Sequence, residues 1–209
     1  MTISTDDLLN SILESFDRIG HVRSEDIPNI DLYMDQVTTF MEQHMRATTR
    51  NPEEDKILTK TMINNYAKND LLPPPVKKKY SKEHVLVLIF IYYFKGILSI
   101  GDIQALLNPL TEKFFHAGSE IKMEDIYDEV FSLEKGKIET LKEDVKKMYE
   151  ASANTFMSAE EDREFLQRFS FICMLSYDVY VKKLLIEKMI DSMKAERKGK
   201  ESGQGKKTE

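Results

Sequence analysis

The chain has 209 residues but only one cysteine, four histidines and no tryptophan. The single cysteine, Cys173, excludes a disulfide within the chain and a metal site built from several cysteines. The histidines do not pair at the spacing of metal ligands, and the sequence has neither a glycine-rich phosphate loop nor a nucleophile motif. We therefore expect a protein that is not an enzyme and that holds no metal and no cofactor.

Long hydrophobic runs are also missing. The apolar stretch 85–94 has ten residues, whereas a helix needs about 20 to cross a bilayer. The N-terminal sequence MTISTDD is acidic and lacks the basic start of a secretion signal. These features predict a cytoplasmic protein with no membrane partner. Cys173 lies in the apolar sequence FICML, and we expect it to be a small, buried hydrophobic residue.

What the chain does contain is helical periodicity. Strand signals are scarce, and apolar residues recur at spacings of three and four, which predicts an all-α or nearly all-α protein. The predicted helices include residues 30–46, 60–70, 81–95, 99–107, 123–133 and 159–194. We expect the fourth of these to end before Asn108-Pro109, and the last to begin at a capping box formed by Ser158 and Glu161. His84 falls in the first turn of its helix and is interpreted as a surface or capping residue.

The helix at 60–70, which Thr59 is expected to cap, has two different faces. At 100° per residue, its polar side chains gather on one face: Thr61, Asn64, Asn65 and Lys68. Its apolar side chains gather on the opposite face: Met62, Ile63, Tyr66 and Ala67. Asparagine is more common in caps and turns than in mid-helix, and an amide on a groove-facing helix can pair with N6 and N7 of adenine. The polar face is therefore either a surface that reads base edges or ordinary solvated surface.

A rigid, basic segment follows this helix. The three prolines at 73–75 impose an extended course because each ring fixes φ. The next residues, Lys77, Lys78, Lys79 and Tyr80, place ammonium groups on a short connection that suits a phosphate backbone. Residues 56–82 carry seven lysines and one acidic residue, Asp70, for a net charge of +6. Because the whole chain carries a net charge of −6, the residues outside this segment carry −12. One basic surface on an otherwise acidic protein is typical of contact with nucleic acid at a single site.

Two segments of this region resemble the MerR family of regulators. Residues 62–74, MINNYAKNDLLPP, are similar to its recognition helix and exit, and residues 98–107, LSIGDIQALL, are similar to part of its second helix pair. The whole chain resembles more closely an uncharacterised bacterial group, the domain of unknown function 1836 family, which is itself MerR-like in this segment. The MerR resemblance implies a winged helix-turn-helix head that binds double-stranded DNA, dimerisation through the helices that follow, and a small-molecule effector sensed beyond them.

The sequence departs from the MerR pattern at several positions. Relatives generally carry arginine where Asn64 stands and an aromatic residue where Asn65 stands, so a phosphate contact is either missing or replaced by amide readout. Asp70 occupies the position of a usual glycine and places a carboxylate near the expected DNA side. The wing is shorter than in relatives and consists of the three lysines and Tyr80.

The C-terminal half is expected to form the dimer. Residues 169–190 are apolar on most of the circumference of their helix, which needs cover on more than one side. We expect that cover from the other C-terminal helices together with a second subunit. The predicted organisation is an N-terminal helix at 1–29, a MerR-like head at 30–108, a helical dimerisation region at 109–197 and a disordered tail at 198–209.

These observations predict a homodimeric DNA-binding transcription regulator that reads paired half-sites. Its expected DNA contacts are Thr61, Asn64, Asn65 and Lys68 in the major groove, and Lys77, Lys78, Lys79 and Tyr80 on phosphates. The alternative is a non-enzymatic protein-interaction module that keeps the MerR-like fold without DNA. In that case the lysines would meet an acidic partner or the acidic surface of the protein itself.

Overall fold

The computed structural model describes residues 5–16, 21–115, 118, 120–133 and 136–204. The helices are α1 (Thr5–Phe16), α2 (Met34–Met45), α3 (Lys60–Lys68), α4 (Lys82–Phe94), α5 (Ile100–Phe114), α6 (Met123–Ser132), α7 (Lys137–Ala153) and α8 (Arg163–Gln204). Two short strands, β1 (Leu32–Tyr33) and β2 (Lys79–Tyr80), pair antiparallel, and 3-10 turns cover Ser24–Asp26 and Arg46–Thr48. The prediction of an almost entirely helical protein is confirmed.

Helix α4 forms the centre of the core. Every residue from Val85 to Ile91 is buried, because this helix is apolar around its whole circumference and has to be covered on all sides. Met41 of α2, Ile63 of α3 and Tyr127 of α6 are all fully buried in the same core cluster. Complete burial of one such aliphatic side chain contributes about 1.5–3 kcal/mol. The hydrophobic run that is too short for a bilayer is therefore the central helix of the core that α2 to α6 form.

Helix α3 has the N-terminal boundary and the two faces that its sequence predicts, but it ends at Lys68, two residues before the predicted end at residue 70. The Thr59 hydroxyl accepts a hydrogen bond from the backbone N–H of Met62 at 3.1 Å, which caps the helix. Asp70 has a φ of 53°, and the N–H of Leu71 donates to the carbonyl of Tyr66 at 2.9 Å. This arrangement is a Schellman motif, in which the left-handed position usually holds glycine. It turns the chain back so that Leu71 is buried against the core.

Several predicted helix ends are wrong. Helix α5 does not end before Pro109 but continues through it to Phe114. Pro109 cannot donate to the carbonyl one turn earlier, yet the second half of the helix still packs Leu110 and Phe114 against the core. Helix α2 begins at Met34 rather than residue 30, because the chain first forms strand β1.

The last helix also differs from its prediction. Helix α8 begins at Arg163, so Ser158 and Glu161 do not cap it, and its first backbone bond runs from the N–H of Leu166 to the carbonyl of Asp162. It continues through Gln204, beyond the start of the predicted tail, and residues 205–209 lie outside the described residues. Cys173 is exposed on this helix, so the prediction that it is buried within its own chain is wrong. Its neighbours Ile172 and Met174 are exposed as well, whereas Phe171 and Leu175 are half-buried.

Helix α8 is covered by its own chain on two nearly opposite sides. Near its N-terminus, Gln167 Nε2 donates to the carbonyl of Ala153 at the end of α7 at 2.6 Å, and the ring of Phe171 packs edge-on against Tyr149 at 5.4 Å. Near its C-terminus, Ile190 is buried, and Lys194 forms an ion pair of 2.7 Å with Asp102 of α5. Each side is therefore covered along only part of the helix.

The left-handed position at the end of α3 gives a stability test. A residue with a Cβ is strained at the φ of Asp70, so we expect Asp70→Gly to raise the free energy of unfolding by about 1 kcal/mol. Glu143→Gly, in the middle of α7, is the control and should lower it by about 1 kcal/mol because that residue is helical. Urea denaturation measures both values. A loss of stability in Asp70→Gly would show that the carboxylate makes a contact that outweighs the strain.

Candidate nucleic-acid interface

The polar face of α3 points outward. Thr61, Asn64, Asn65 and Lys68 are all exposed, whereas Ile63 on the opposite face is fully buried. The end of the helix is held by the Asn69 side chain, whose Nδ2 donates to the carbonyl of Asn65 at 2.8 Å. The side chains of Asn64 and Asn65 therefore remain available to an external partner. The predicted separation of the two faces is confirmed.

The basic segment forms a tight hairpin turn. The N–H and carbonyl of Val76 exchange hydrogen bonds of 3.1 Å and 2.9 Å with those of Lys79, and the two residues between them, Lys77 and Lys78, have φ values of 50° and 64°. Positive φ at both central residues is typical of a type I′ turn, where Asn-Gly is the preferred sequence. Lysine at both positions is conformationally costly. The turn projects two neighbouring ammonium groups at its tip.

The start of α2 brings the turn and α3 to the same side of the head. Tyr33 pairs with Lys79 across the two strands, and the Lys79 ammonium lies 5.2 Å from the centre of the Tyr33 ring. Two residues further on, Asp35 forms an ion pair with Lys60 in the first turn of α3. Since Tyr33 and Asp35 are adjacent to the lysine turn and to α3 respectively, the N-terminal end of α3 and the turn are neighbours on the surface.

The three lysines of the turn lack acidic partners. In the described parts of the chain, no carboxylate forms an ion pair with Lys77, Lys78 or Lys79. Two other lysines of the basic segment differ in this respect: Lys60 is paired with Asp35, and Lys82 contacts Glu124 of α6 at 2.6 Å. The uncompensated charge is therefore concentrated at the hairpin turn.

Tyr80 does not belong to this surface. Its side chain is only 3% exposed, because it is paired with Leu32 in the sheet and lies edge-on to the His84 ring at 5.4 Å. The prediction that Tyr80 contacts phosphates is therefore wrong. An aromatic residue on a two-residue strand fills the core beneath the hairpin, while its neighbour Lys79 faces outward.

An exposed tyrosine that the sequence interpretation missed stands beside the turn instead. Tyr33 is 55% exposed and presents the face of its ring to Lys79. Its position was assigned to the interior of a helix, because the apolar spacing of residues 30–41 follows helical periodicity. The available signal was the alternation of apolar and polar residues at Ile30, Asp31 and Leu32, which is too short to identify a strand by its period.

His84 lies beneath the hairpin and is buried, not on the surface. Its Nδ1 accepts a hydrogen bond from the N–H of Ser81 at 2.9 Å, which completes the cap of α4. Among the described residues its Nε2 is buried with no hydrogen-bond partner, and the Phe115 ring packs edge-on at 4.8 Å. Burial lowers the pKa of His84, although the Pro74 carbonyl and the Glu83 carboxylate act in the opposite direction. The capping interpretation is confirmed and the surface interpretation is wrong.

Away from the lysine turn, a groove lies between α5 and the C-terminal part of α8. This groove has a volume of about 720 Å³, and its lining includes Ala105, Pro109 and Met193. Charged side chains border it, and Arg197 closes one side through an ion pair of 2.6 Å with Glu112. Among the described residues, no group of three histidine, cysteine, aspartate or glutamate side chains could hold a metal ion. In the same residues, no helix is both long enough and apolar enough to pass through a bilayer.

Fold and site together define a helical protein with a basic surface and a long C-terminal helix that the other described elements cover only in part. The chain belongs to the family described as Domain of unknown function (DUF1836), whose model matches residues 22–130, just over half of its length. The matched segment contains α2 to α5, the lysine turn and most of α6, whereas α7 and α8 follow it. Searches of curated proteins and of solved structures found no match.

The burial of His84 gives a pH test. A histidine whose pKa is lowered by folding stabilises the protein above its unfolded pKa of about 6.5, and this contribution is lost as the pH falls below that value. We expect the free energy of unfolding to fall as the pH decreases below about 6.5, by at most about 1.4 kcal/mol per pH unit. His84→Gln keeps an acceptor for the Ser81 N–H and should flatten this slope.

His44→Gln is the matched control, because His44 is exposed and stacks on Phe40 at 4.3 Å. It should keep the slope of the unchanged protein. Urea denaturation at several pH values measures all three proteins. An equal slope in His84→Gln would assign the acid sensitivity to other groups.

Proposed function

We propose that the chain is a DNA-binding transcription regulator that reads paired half-sites as a homodimer. The observation that carries the proposal is the placement of an exposed amide-bearing helix face beside a hairpin turn with uncompensated lysines. Duplex recognition uses these two kinds of contact together: cations on phosphates fix the register, and side chains on a helix read base edges. The resemblance of residues 62–74 to a MerR recognition helix supports the same proposal.

In this proposal, α3 enters the major groove with its polar face. Asn64 and Asn65 are the residues that discriminate bases, because an amide can donate to N7 or accept from N6 of adenine, at about 1–3 kcal/mol of discrimination for each good pair. Thr61 and Lys68 flank them on the same exposed face. The helix is short, with nine residues, so one head reads few base pairs, and a homodimer on an inverted repeat supplies the missing specificity.

The lysine turn binds the phosphate backbone in this proposal. Lys77 and Lys78 are the principal contacts, since the turn presents both at its tip, while Lys79 is held over the Tyr33 ring. Phosphate binding by lysine releases condensed counterions and makes the affinity depend steeply on salt. An effector in the groove between α5 and α8 would complete a sensor-regulator of the kind that the resemblance implies.

The alternative is a protein-interaction module that has kept this fold without DNA. One observation favours it: Lys60 and Lys82 are paired with carboxylates of the same chain, so part of the basic segment already serves an internal role. The same lysine turn would then meet an acidic protein surface. Selection of bound fragments from genomic DNA, followed by a salt titration, separates the two functions, because only a DNA-binding protein enriches a shared sequence.

The first test removes charge from the turn without changing its backbone. Lys77→Asn with Lys78→Gly gives the sequence that a type I′ turn prefers, so the hairpin should be retained. We expect weaker binding to all DNA sequences and a slope of log K against log salt that is smaller by up to about 2, at about 0.9 per phosphate. Lys146→Gln with Lys147→Gln on α7 removes the same charge elsewhere and should leave the slope unchanged. An unchanged slope in the turn variant would remove these two lysines from the interface.

The second test concerns base recognition. Asn64→Ala with Asn65→Ala should reduce the preference for the selected sequence over unrelated DNA by about tenfold or more, while non-specific binding and its salt slope stay the same. Asn51→Ala is the control, since Asn51 is exposed outside α3. Fluorescence anisotropy with specific and scrambled duplexes measures the ratio. A uniform loss on both duplexes would contradict base reading by these amides.

A further inference from the structure

Helix α8 carries an apolar stripe that the described part of its own chain leaves bare. The stripe has heptad spacing, with steps of four and three residues. We call these residues the bare stripe: Phe165, Phe169, Ile172, Ser176, Val179 and Lys183. Its four apolar members are between 53% and 68% exposed. At about 1.5 Å per residue, the stripe is roughly 27 Å long.

The bare stripe continues directly into a covered surface. At 100° per residue, Ile190 lies on the same side of α8 as the bare stripe, and it is 2% exposed because α5 packs on this end of the helix. The other side of the N-terminal part of α8 is already occupied by α7. One continuous helix face is thus buried at one end and open to solvent at the other. An open apolar face of this size marks an interaction surface.

Charges at the two ends of the bare stripe are opposite. Just before its first residue, the turn that leads into α8 carries three acidic residues, Glu160, Glu161 and Asp162. At its far end lie Lys182 and Lys183, whose ion-pair partners among the described residues are neighbours one turn away, Asp178 at 2.6 Å and Glu187 at 3.8 Å. In the described residues, no ion pair involves Glu160, Glu161 or Asp162.

We propose that the bare stripe is the contact surface for a second copy of this chain, with the two α8 helices antiparallel and the twofold axis close to Ile172. This inference specifies the homodimer that the proposed function needs. Lys182 and Lys183 lie about ten residues from Ile172 on one side, and the acidic turn lies about eleven residues away on the other. Antiparallel pairing therefore places the lysines of each copy near the acidic turn of its partner. A parallel arrangement would instead bring the lysine pairs together, which like-charge repulsion disfavours.

Packing along the bare stripe is sterically suited to two copies. Ser176, its smallest member, lies one turn from Ile172 and allows the two helix axes to approach closely. Phe169 and Val179 flank this central region and supply the large apolar surface of the contact. Isologous contacts of this kind close after two copies, so the assembly ends at a dimer.

A charge-exchange experiment tests the proposal on the full-length protein. Light scattering and sedimentation should find a dimer. Lys182→Glu with Lys183→Glu should raise the dimer dissociation constant by about tenfold or more, and Glu160→Lys with Glu161→Lys should do the same, because each places like charges together. The variant with all four substitutions should recover an affinity close to that of the unchanged protein. Lys146→Glu with Lys147→Glu, a lysine pair on α7, is the control that should have no effect.

Thiol cross-linking tests the direction of the helices. Cys173 is the only cysteine and lies one residue from the proposed axis, so a short bismaleimide should join two copies efficiently. In a Cys173→Ser background, Ser192→Cys should give little cross-linking, since antiparallel helices separate these positions by about 60 Å. Efficient cross-linking at position 192 would overturn the antiparallel arrangement.

Other outcomes would also overturn the proposal. A protein that stays monomeric at all concentrations would contradict the dimer. A dimer whose dissociation constant is unchanged in both charge variants would contradict the bare stripe as its interface. A monomer in which Cys173 reacts with a thiol reagent only after deletion of α1 would show that α1 covers the bare stripe. DNA binding is measured separately on the Lys182→Glu, Lys183→Glu variant with a single half-site. Retained half-site binding by a monomeric protein would leave the head function standing without this interface. A dimer that binds no DNA would leave this interface standing and would contradict the proposed function.

Discussion

The complete burial of α4 is the constraint on which the head depends. A helix that is apolar on every side cannot face solvent, so α2, α3, α5 and α6 have to surround it, and each contributes its own buried side to the same cluster. Because those four helices use their apolar faces inward, their polar faces are necessarily turned outward. The exposure of Asn64 and Asn65 on α3 is thus a direct consequence of the packing of its opposite face on this core.

The N-terminal end of α4 also determines where the lysine turn lies. Ser81 caps the helix, His84 completes the cap from inside, and Tyr80 packs against the His84 ring. The hairpin turn is only one residue further back along the chain, so its backbone rests on a buried aromatic layer while its ammonium groups extend into solvent. Two exposed lysine side chains are in this way carried by a well-supported backbone, an arrangement that would reduce the entropy lost in the binding that we propose.

Much of this head could be predicted from sequence because its signals are local. The Thr59 cap, the two faces of α3 and the buried Leu71 follow from spacing and residue type within a dozen positions. The strand pairing could not, because the partners Tyr33 and Lys79 are 46 positions apart and each strand has only two residues. Pro109 led to a wrong prediction of where α5 ends. Its local effect on the helix is unfavourable, but the core contacts that offset this effect come from parts of the chain distant in sequence.

In the C-terminal half, the sequence predicts the helix but not which parts of it are buried. The sequence identified α8 as a helix that needs cover on several sides, but sequence patterns alone do not tell which part of each side the chain itself covers. The structure separates these parts, with α7 on one side near the N-terminus and α5 on nearly the opposite side near the C-terminus. Cys173 is predicted to be buried because its neighbours are apolar, but it lies with Ile172 and Met174 on a part of α8 that no other described element covers.

Helix α5 forms polar contacts with both α8 and the C-terminal end of α3. Asp102 in its first turn holds Lys194 of α8, and Gln104 donates to the carbonyl of Asn69, which ends α3. Since Asp102 and Gln104 are two residues apart on α5, this helix joins the C-terminal part of α8 to the end of α3 through two polar contacts. One helix therefore anchors both the end of the short segment that carries the outward-facing amides and the last turns of the longest helix.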